Sequence, residues 1–157
     1  MTREESYMME AIALSKKAID NNEGGPFGCV IVKNNEIIGR GNNRVILESD
    51  PTAHAEIIAI RNACKILGAF QLEDCEIYSS CEPCPMCLGA IYWARPKIVY
   101  YGNTHNDAAA IGFDDSMIYE EIKAGNDCRK IPLINLCRKD AFAVFENWIN
   151  KTDKTRY

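Results

Sequence analysis

Two short segments of this 157-residue chain carry the side chains that bind metals and move protons: His54-Ala55-Glu56 and Cys81-Glu82-Pro83-Cys84-Pro85-Met86-Cys87. Zinc accepts imidazole and thiolate in a tetrahedron, and a catalytic zinc site uses three protein ligands and leaves the fourth position to water. We assign His54, Cys84 and Cys87 as those three ligands. A Cys-x-x-Cys pair across the first turn of a helix places both sulfurs on nearly one side, because residues three apart are neighbours there, so one ion can take both. Glu56 follows His54 by two positions, which suits hydrogen bonding to water at the metal better than ligation. It is the candidate proton carrier.

Other readings of the same residues stay open at this level. Glu56 could simply satisfy the positive end of a helix dipole. Cys81, three before Cys84, could join His54, Cys84 and Cys87 in a closed structural site with no room for water. An iron-sulfur run would need a further cysteine at position 91, which is Ile. Cys29, Cys64, Cys75, Cys128 and Cys137 have no metal spacing and read as buried or inert thiols.

The elements that must position these residues can be read from periodicity. Met8, Ala11, Ile12, Ala18 and Ile19 predict a first helix with one apolar face, ending near Asn21-Asn22. Gly28 to Val32 and Ile37 to Gly41, joined through Asn34-Asn35, predict a β-hairpin. A second helix follows Asp50-Pro51-Thr52, with Thr52 as N-cap, with Ile57, Ile60, Cys64 and Leu67 on one face, and with Gly68 as its stop. A strand around Ile77-Tyr78, a helix from Cys84 to Ala94 and a strand from Ile98 to Tyr101 form a parallel strand-helix-strand unit. Beyond lie a loop through Phe113, a helix near Met117 to Ile122, a strand near Leu133 to Cys137, a helix carrying Phe142, Phe145, Trp148 and Ile149, and a charged tail from Lys151. Trp93 and Trp148 are expected to pack, and His105 to face solvent. Both metal segments then fall at helix starts, which can meet at the carboxyl end of the strands. There the positive helix ends favour thiolate and support hydroxide near neutral pH.

Length and composition set one compact domain spanning 1–157, and the order of elements makes it α/β, a mixed sheet covered by helices on both faces with a tail at 151–157. With 18 Lys+Arg against 22 Asp+Glu, the net charge of −4 weighs against an extended nucleic acid partner. No apolar run approaches a membrane span and no export signal opens the chain, so a cytoplasmic protein with reduced thiols is expected.

His54-Ala55-Glu56 followed by Pro83-Cys84-Pro85-Met86-Cys87 resembles the signature of zinc nucleobase and nucleoside deaminases, in which the Glu is acid and base and not a ligand. Further matches are Gly25-Pro26-Phe27-Gly28, Asn42-Asn43, the run from Asp50 to Glu56, Cys81 to Arg95, Gly112-Phe113-Asp114-Asp115-Ser116 and Tyr157. With these the chain resembles, over almost its whole length, the compact bacterial guanine deaminases of the cytidine-deaminase-like fold. The resemblance implies a three-layer α/β/α architecture with a mixed central sheet. It implies hydrolysis of guanine, as the free base, to xanthine and ammonia in purine catabolism or salvage. In that scheme hydroxide on zinc attacks the amino-bearing C2, and Glu56 carries protons to a ring nitrogen and the leaving amine.

For the base, the resemblance assigns Asn43 to its polar edge, Phe27 to stacking, Ala55 to the pocket, Asp115 (or its neighbour Asp114) to the donor edge, and Tyr157 to closure. An ionised Asp can accept from the N1–H and amine of guanine, whereas adenine offers a lone pair at N1. A homodimer is implied, with exchange of C-terminal segments in some members. The competing activities are a tRNA adenosine deaminase, a deaminase of cytosine or other aminated rings, and a zinc-stabilised binding module without catalysis.

Overall fold

The computed structural model describes residues 1–157, ordered as α1 (Arg3–Asp20), β1 (Gly28–Lys33), β2 (Glu36–Asn42), α2 (Val45–Glu48), α3 (Ala55–Leu67), β3 (Glu76–Cys81), α4 (Pro85–Ala94), β4 (Ile98–Asn103), α5 (His105–Ala110), α6 (Ser116–Lys123), a 3-10 turn (Asn126–Cys128) and α7 (Arg138–Asn150). These divide into two compact units, Met1–Asp115 and Ser116–Tyr157. No helix is long and apolar enough to cross a membrane.

In the first unit the strands are ordered β2-β1-β3-β4. β1 pairs antiparallel with both β2 and β3, while β3 and β4 run parallel through α4, so the sheet is mixed as expected. The hairpin turns on Asn34 and Asn35, both at positive φ (52° and 65°), the two-residue geometry that matches strand twist. β1 is apolar without alternation because both its faces are covered. Cys29 and Ile31 join the core under α3 and α4, and Val30 and Val32 the core under α1.

α1 starts with a reciprocal capping box between Thr2 and Glu5. It buries Ala11 and Ala18, with Tyr7, Met8 and Leu14 at the margins, whereas Ile12 and Ile19, expected on the same face, are exposed. The contact line follows the small residues. α3 does likewise: Ala55, Ala59 and Ala63 are fully buried, while Ile60, Cys64 and Leu67 pack from the side. A Cβ added at Gly41 would lie 2.2 Å from the carbonyl oxygen of Ala55, so the helix backbone rests directly on β2 and only glycine fits between. Thr52 is not the cap. Its backbone N–H and hydroxyl both donate to the Asp50 carboxylate, and His54 is the residue that enters α3.

α5 stands where a loop was expected, opened by a second reciprocal box between Thr104 and Asp107, and α2 fills a segment that carries no periodic signal. The strand expected near Leu133 to Cys137 does not form; Ile134 and Leu136 are 84 % and 81 % exposed. β-branched and apolar content makes a strand only where an edge supplies partners for its backbone, and the second unit contains no sheet. Trp93 and Trp148, expected to pack, are exposed.

Tyr78 joins the α1 face of the sheet to a charged cluster. Its ring stacks on Tyr100 at 4.8 Å and tilts against Tyr7 at 5.3 Å. Its hydroxyl donates to Glu76 at 2.6 Å, and the same carboxylate receives Arg3 Nη2 at 3.0 and 2.9 Å. These bonds, the tyrosine's first, hold Glu76 below its ordinary value near 4.5. A carboxylate depressed in the folded state stabilises the fold above its unfolded pKa and loses that effect as pH falls through the folded one. Tyr78→Phe is therefore expected to cost about 1.5–3 kcal/mol at pH 7, the range for a hydrogen bond to a charged group. The deficit should shrink by pH 3 in chemical denaturation, and an equal deficit at both pH values would contradict this role.

Candidate active site

His54 and Cys84 are the N-cap residues of α3 and α4, each in extended backbone (φ −71°, ψ 156° and φ −64°, ψ 168°). An N-cap side chain ordinarily accepts from the helix's first free N–H groups. Neither does so here. Both point instead to a shared place between the two helix starts, with Pro85 setting the first turn of α4 and Cys87 one turn position further in. His54 Nδ1 lies 3.5 Å from Cys84 Sγ and 3.5 Å from Cys87 Sγ. The three donor atoms fall within 4.8 Å of one another. One imidazole nitrogen and two sulfurs at this separation suit zinc, with one tetrahedral direction left over.

Cys81 does not join them. Its thiol donates to the carbonyl oxygen of Thr104 at 3.7 Å, and burial pushes its pKa up to about 11. The Cys84 thiol, by contrast, is drawn down to about 4, first by the hydrogen bond from Cys87 and next by His54, against the opposing effect of burial. Cys87 is pushed up by the same contact with Cys84 and by burial. His54 is raised chiefly by its bond with Cys84.

Glu56 lies in the first turn of α3 and is 6 % exposed. Ser79 donates to its Oε1 at 3.1 Å and the Cys87 thiol to its Oε2 at 3.4 Å. Burial, above all, raises its pKa from the ordinary carboxylate value. The carboxyl therefore sits beside the metal-binding group without belonging to it, oriented by a hydroxyl from β3. A buried carboxyl near a metal, with its proton affinity raised, is equipped to accept and return protons.

The segment between α1 and β1 and the segment after β2 run alongside. Asn43 N donates to the carbonyl of Phe27 at 2.9 Å, and Arg44 N to that of Ala53 at 2.9 Å, which ties Asn43 to the chain entering His54. Phe27 meets Phe113 edge-to-face at 5.0 Å. Two residues beyond Phe113, Asp115 is raised by burial and then by the charge of Cys84, and is lowered by His105. His54, Cys84, Cys87 and Glu56 are brought into contact, Asp115 lies within electrostatic reach of Cys84, and Phe27, Asn43 and Ala55 belong to the same unit. Ala55 is fully buried under the helix start. Tyr157 belongs to the second unit and is exposed there.

Several supporting residues escaped sequence reasoning. Ser79 orients Glu56, and the only signal was a Ser-Ser pair closing an apolar strand just before the cysteines. Glu82 accepts from both the backbone and the ring of His105, at 3.0 and 2.9 Å, so this exposed histidine braces the turn that carries Cys84. Phe113 left no periodic trace.

Residues 1–103 match the family model for the cytidine and deoxycytidylate deaminase zinc-binding region. The chain is 52 % identical over 153 residues to the guanine deaminase of Bacillus subtilis, covering 98 % of each. The X-ray structure of guanine deaminase from that organism superposes with a TM-score of 0.95, again over 98 % of each chain. The tRNA-specific adenosine deaminase of B. subtilis is 41 % identical over 121 residues, covering 77 % of this chain and 74 % of that one. The α/β architecture is therefore the cytidine-deaminase-like one. Zinc is the ion these ligands serve in that fold. Sequence, fold and ligand geometry agree that the chain belongs to the cytidine and deoxycytidylate deaminase family of zinc-binding proteins.

Proposed function

We propose that this protein hydrolyses guanine to xanthine and ammonia as a step of purine breakdown or salvage. The observation that carries a catalytic reading is the placement of Glu56: buried, fixed by Ser79, and 3.4 Å from a ligand sulfur while not itself a ligand. The near full-length likeness to a guanine deaminase supports the choice of base.

His54, Cys84 and Cys87 would hold the zinc ion, which would supply Lewis acidity to the attacking water. In this reading Glu56 takes one proton of the attacking water and delivers it to a ring nitrogen next to C2, then carries the remaining proton of the oxygen now on C2 to the amine, which leaves as ammonia as the C2 carbonyl forms, so that water and guanine become xanthine and ammonia. A raised proton affinity suits both directions of transfer. Ser79 keeps one carboxylate oxygen occupied and so limits the other to a single orientation. Phe27, braced edge-on by Phe113, offers a face for the purine ring. Asn43 and the backbone at Ala55 take its polar edge, and Asp115 accepts from N1–H and the amine. On the resemblance, the protein works as a homodimer, with C-terminal segments exchanged in some members.

The likeness to a tRNA-specific adenosine deaminase supports a second reading. It covers less of the chain, and a net charge of −4 lacks the phosphate-binding excess such a substrate asks for.

Glu56→Gln is expected to keep about one zinc per chain and an unchanged melting temperature while kcat falls about 10²–10⁴-fold, the usual contribution of a positioned acid-base group. Metal analysis and ammonia release measure both, and undiminished turnover would remove Glu56 from the mechanism. Among guanine, adenine, cytosine and tRNA, guanine should give the highest kcat/KM. Asp115→Asn should lower that value for guanine at least about tenfold with zinc retained, since a hydrogen-bond acceptor for the base is lost. Unchanged guanine kinetics in that variant would assign the donor edge elsewhere.

A further inference from the structure

Glu23 lies just beyond the end of α1, where Asn22 at positive φ (55°) turns the chain and Glu23 N closes the helix by donating to the carbonyl of Ala18 at 2.8 Å. From there it holds the segment after β2 in two ways. Its own carbonyl oxygen accepts from Ile46 N and Leu47 N, each at 3.1 Å, which anchors the first turn of α2. Its carboxylate accepts from Asn42 Nδ2 at 2.6 Å and from Asn21 Nδ2 at 3.2 Å. Asn42 Nδ2 also donates to the carbonyl of Asn43 at 3.1 Å, so the bond reaches the backbone of the residue we assign to the base.

Between these anchors the Asn43 side chain has one orientation. Its Oδ1 accepts from Val45 N at 3.2 Å. A backbone N–H can only donate, so the atom it faces is the amide oxygen and the other is the NH₂ group. That NH₂ makes no hydrogen bond within the protein and keeps some access to its surroundings, while the residue as a whole is 4 % exposed. Gly24 closes the cradle, since a Cβ there would stand 2.0 Å from Asn43 Oδ1 and would push the amide from its place.

We propose that Glu23 is a positioning residue for base recognition. Through Asn42 and its own carbonyl it holds Asn43 so that the amide NH₂ is reserved as a donor to an acceptor atom of the base, a carbonyl oxygen or an unprotonated ring nitrogen. This rests on the reading of the site as a purine-base pocket and adds to it the polarity of one contact and the residue that enforces it. A donor at Asn43 opposite an acceptor at Asp115 describes a base with both acceptor and donor edges, which 6-oxo-2-aminopurines have.

The test is steady-state kinetics of the zinc-loaded enzyme on guanine. Glu23→Ala is expected to raise KM about tenfold while kcat changes less than about twofold and zinc content stays constant, the pattern of lost binding without lost chemistry. Glu23→Gln keeps an acceptor for Asn42 and should stay within about threefold of the parent KM. In an Asn43→Ala background, Glu23→Ala should add less than about twofold, because a residue acting through another has nothing left to position. Should Glu23→Ala fail to fold, Glu23→Asp, whose carboxylate falls short of Asn42, carries the same expectation on KM.

A fall in kcat with unchanged KM, or effects of Glu23 and Asn43 that multiply, would overturn the positioning role. These outcomes differ from failure of the underlying reading, in which the parent enzyme releases no ammonia from guanine at all.

Discussion

The structure depends on two helix N-caps that do not cap. His54 and Cys84 stand where serine, threonine or aspartate would ordinarily accept from the helix's own N–H groups, and both turn their side chains toward one point between α3 and α4. What satisfies the helix ends instead is charge. Sulfur drawn toward thiolate lies in front of α4, and the positive ends of two helices face the same small volume. A divalent ion with two thiolates and an imidazole is formally neutral, so these dipole ends remain able to favour an anionic nucleophile nearby.

Everything else serves to bring those two caps together. α3 reaches the end of the sheet because Ala55 and Ala59 lie against Gly41 with no side chain between backbone and strand. α4 arrives because β3 and β4 run parallel and a helix must cross between them. Close packing of α3 buries Glu56, and burial raises the proton affinity on which a shuttle depends. One packing choice, small residues along a helix, thus sets both the position of a metal ligand and the chemistry of its neighbour. The same economy recurs at Gly24, where the lack of a side chain admits the amide of Asn43.

Much of this was legible in the residues. The metal ligands follow from ligand type and spacing, the hairpin from Asn34-Asn35, and the parallel unit from strand, Cys-rich helix and strand. Helix faces were read less well, because periodicity weighs large apolar residues. Ile12 and Ile19 share the predicted face of α1 with Ala11 and Ala18, but only the two alanines are buried. Thr52 looked like a cap because its hydroxyl has the right chemistry, but a two-residue bond to Asp50 uses it up. The segment near Leu133 to Cys137 has strand composition and no sheet edge in its own unit, and composition cannot report whether an edge is available. Ser79, Glu82 and Glu23 act through contacts distant in sequence, which no local pattern encodes.

The account turns on a zinc ion with three protein ligands and a fourth position that no cysteine takes. X-ray absorption at the zinc edge of the purified protein measures this directly. The expected shell is two sulfurs near ~2.3 Å and two lighter nitrogen or oxygen neighbours near ~2.0–2.1 Å. A shell of three sulfurs and one nitrogen, with Cys81 as the added ligand, would contradict it.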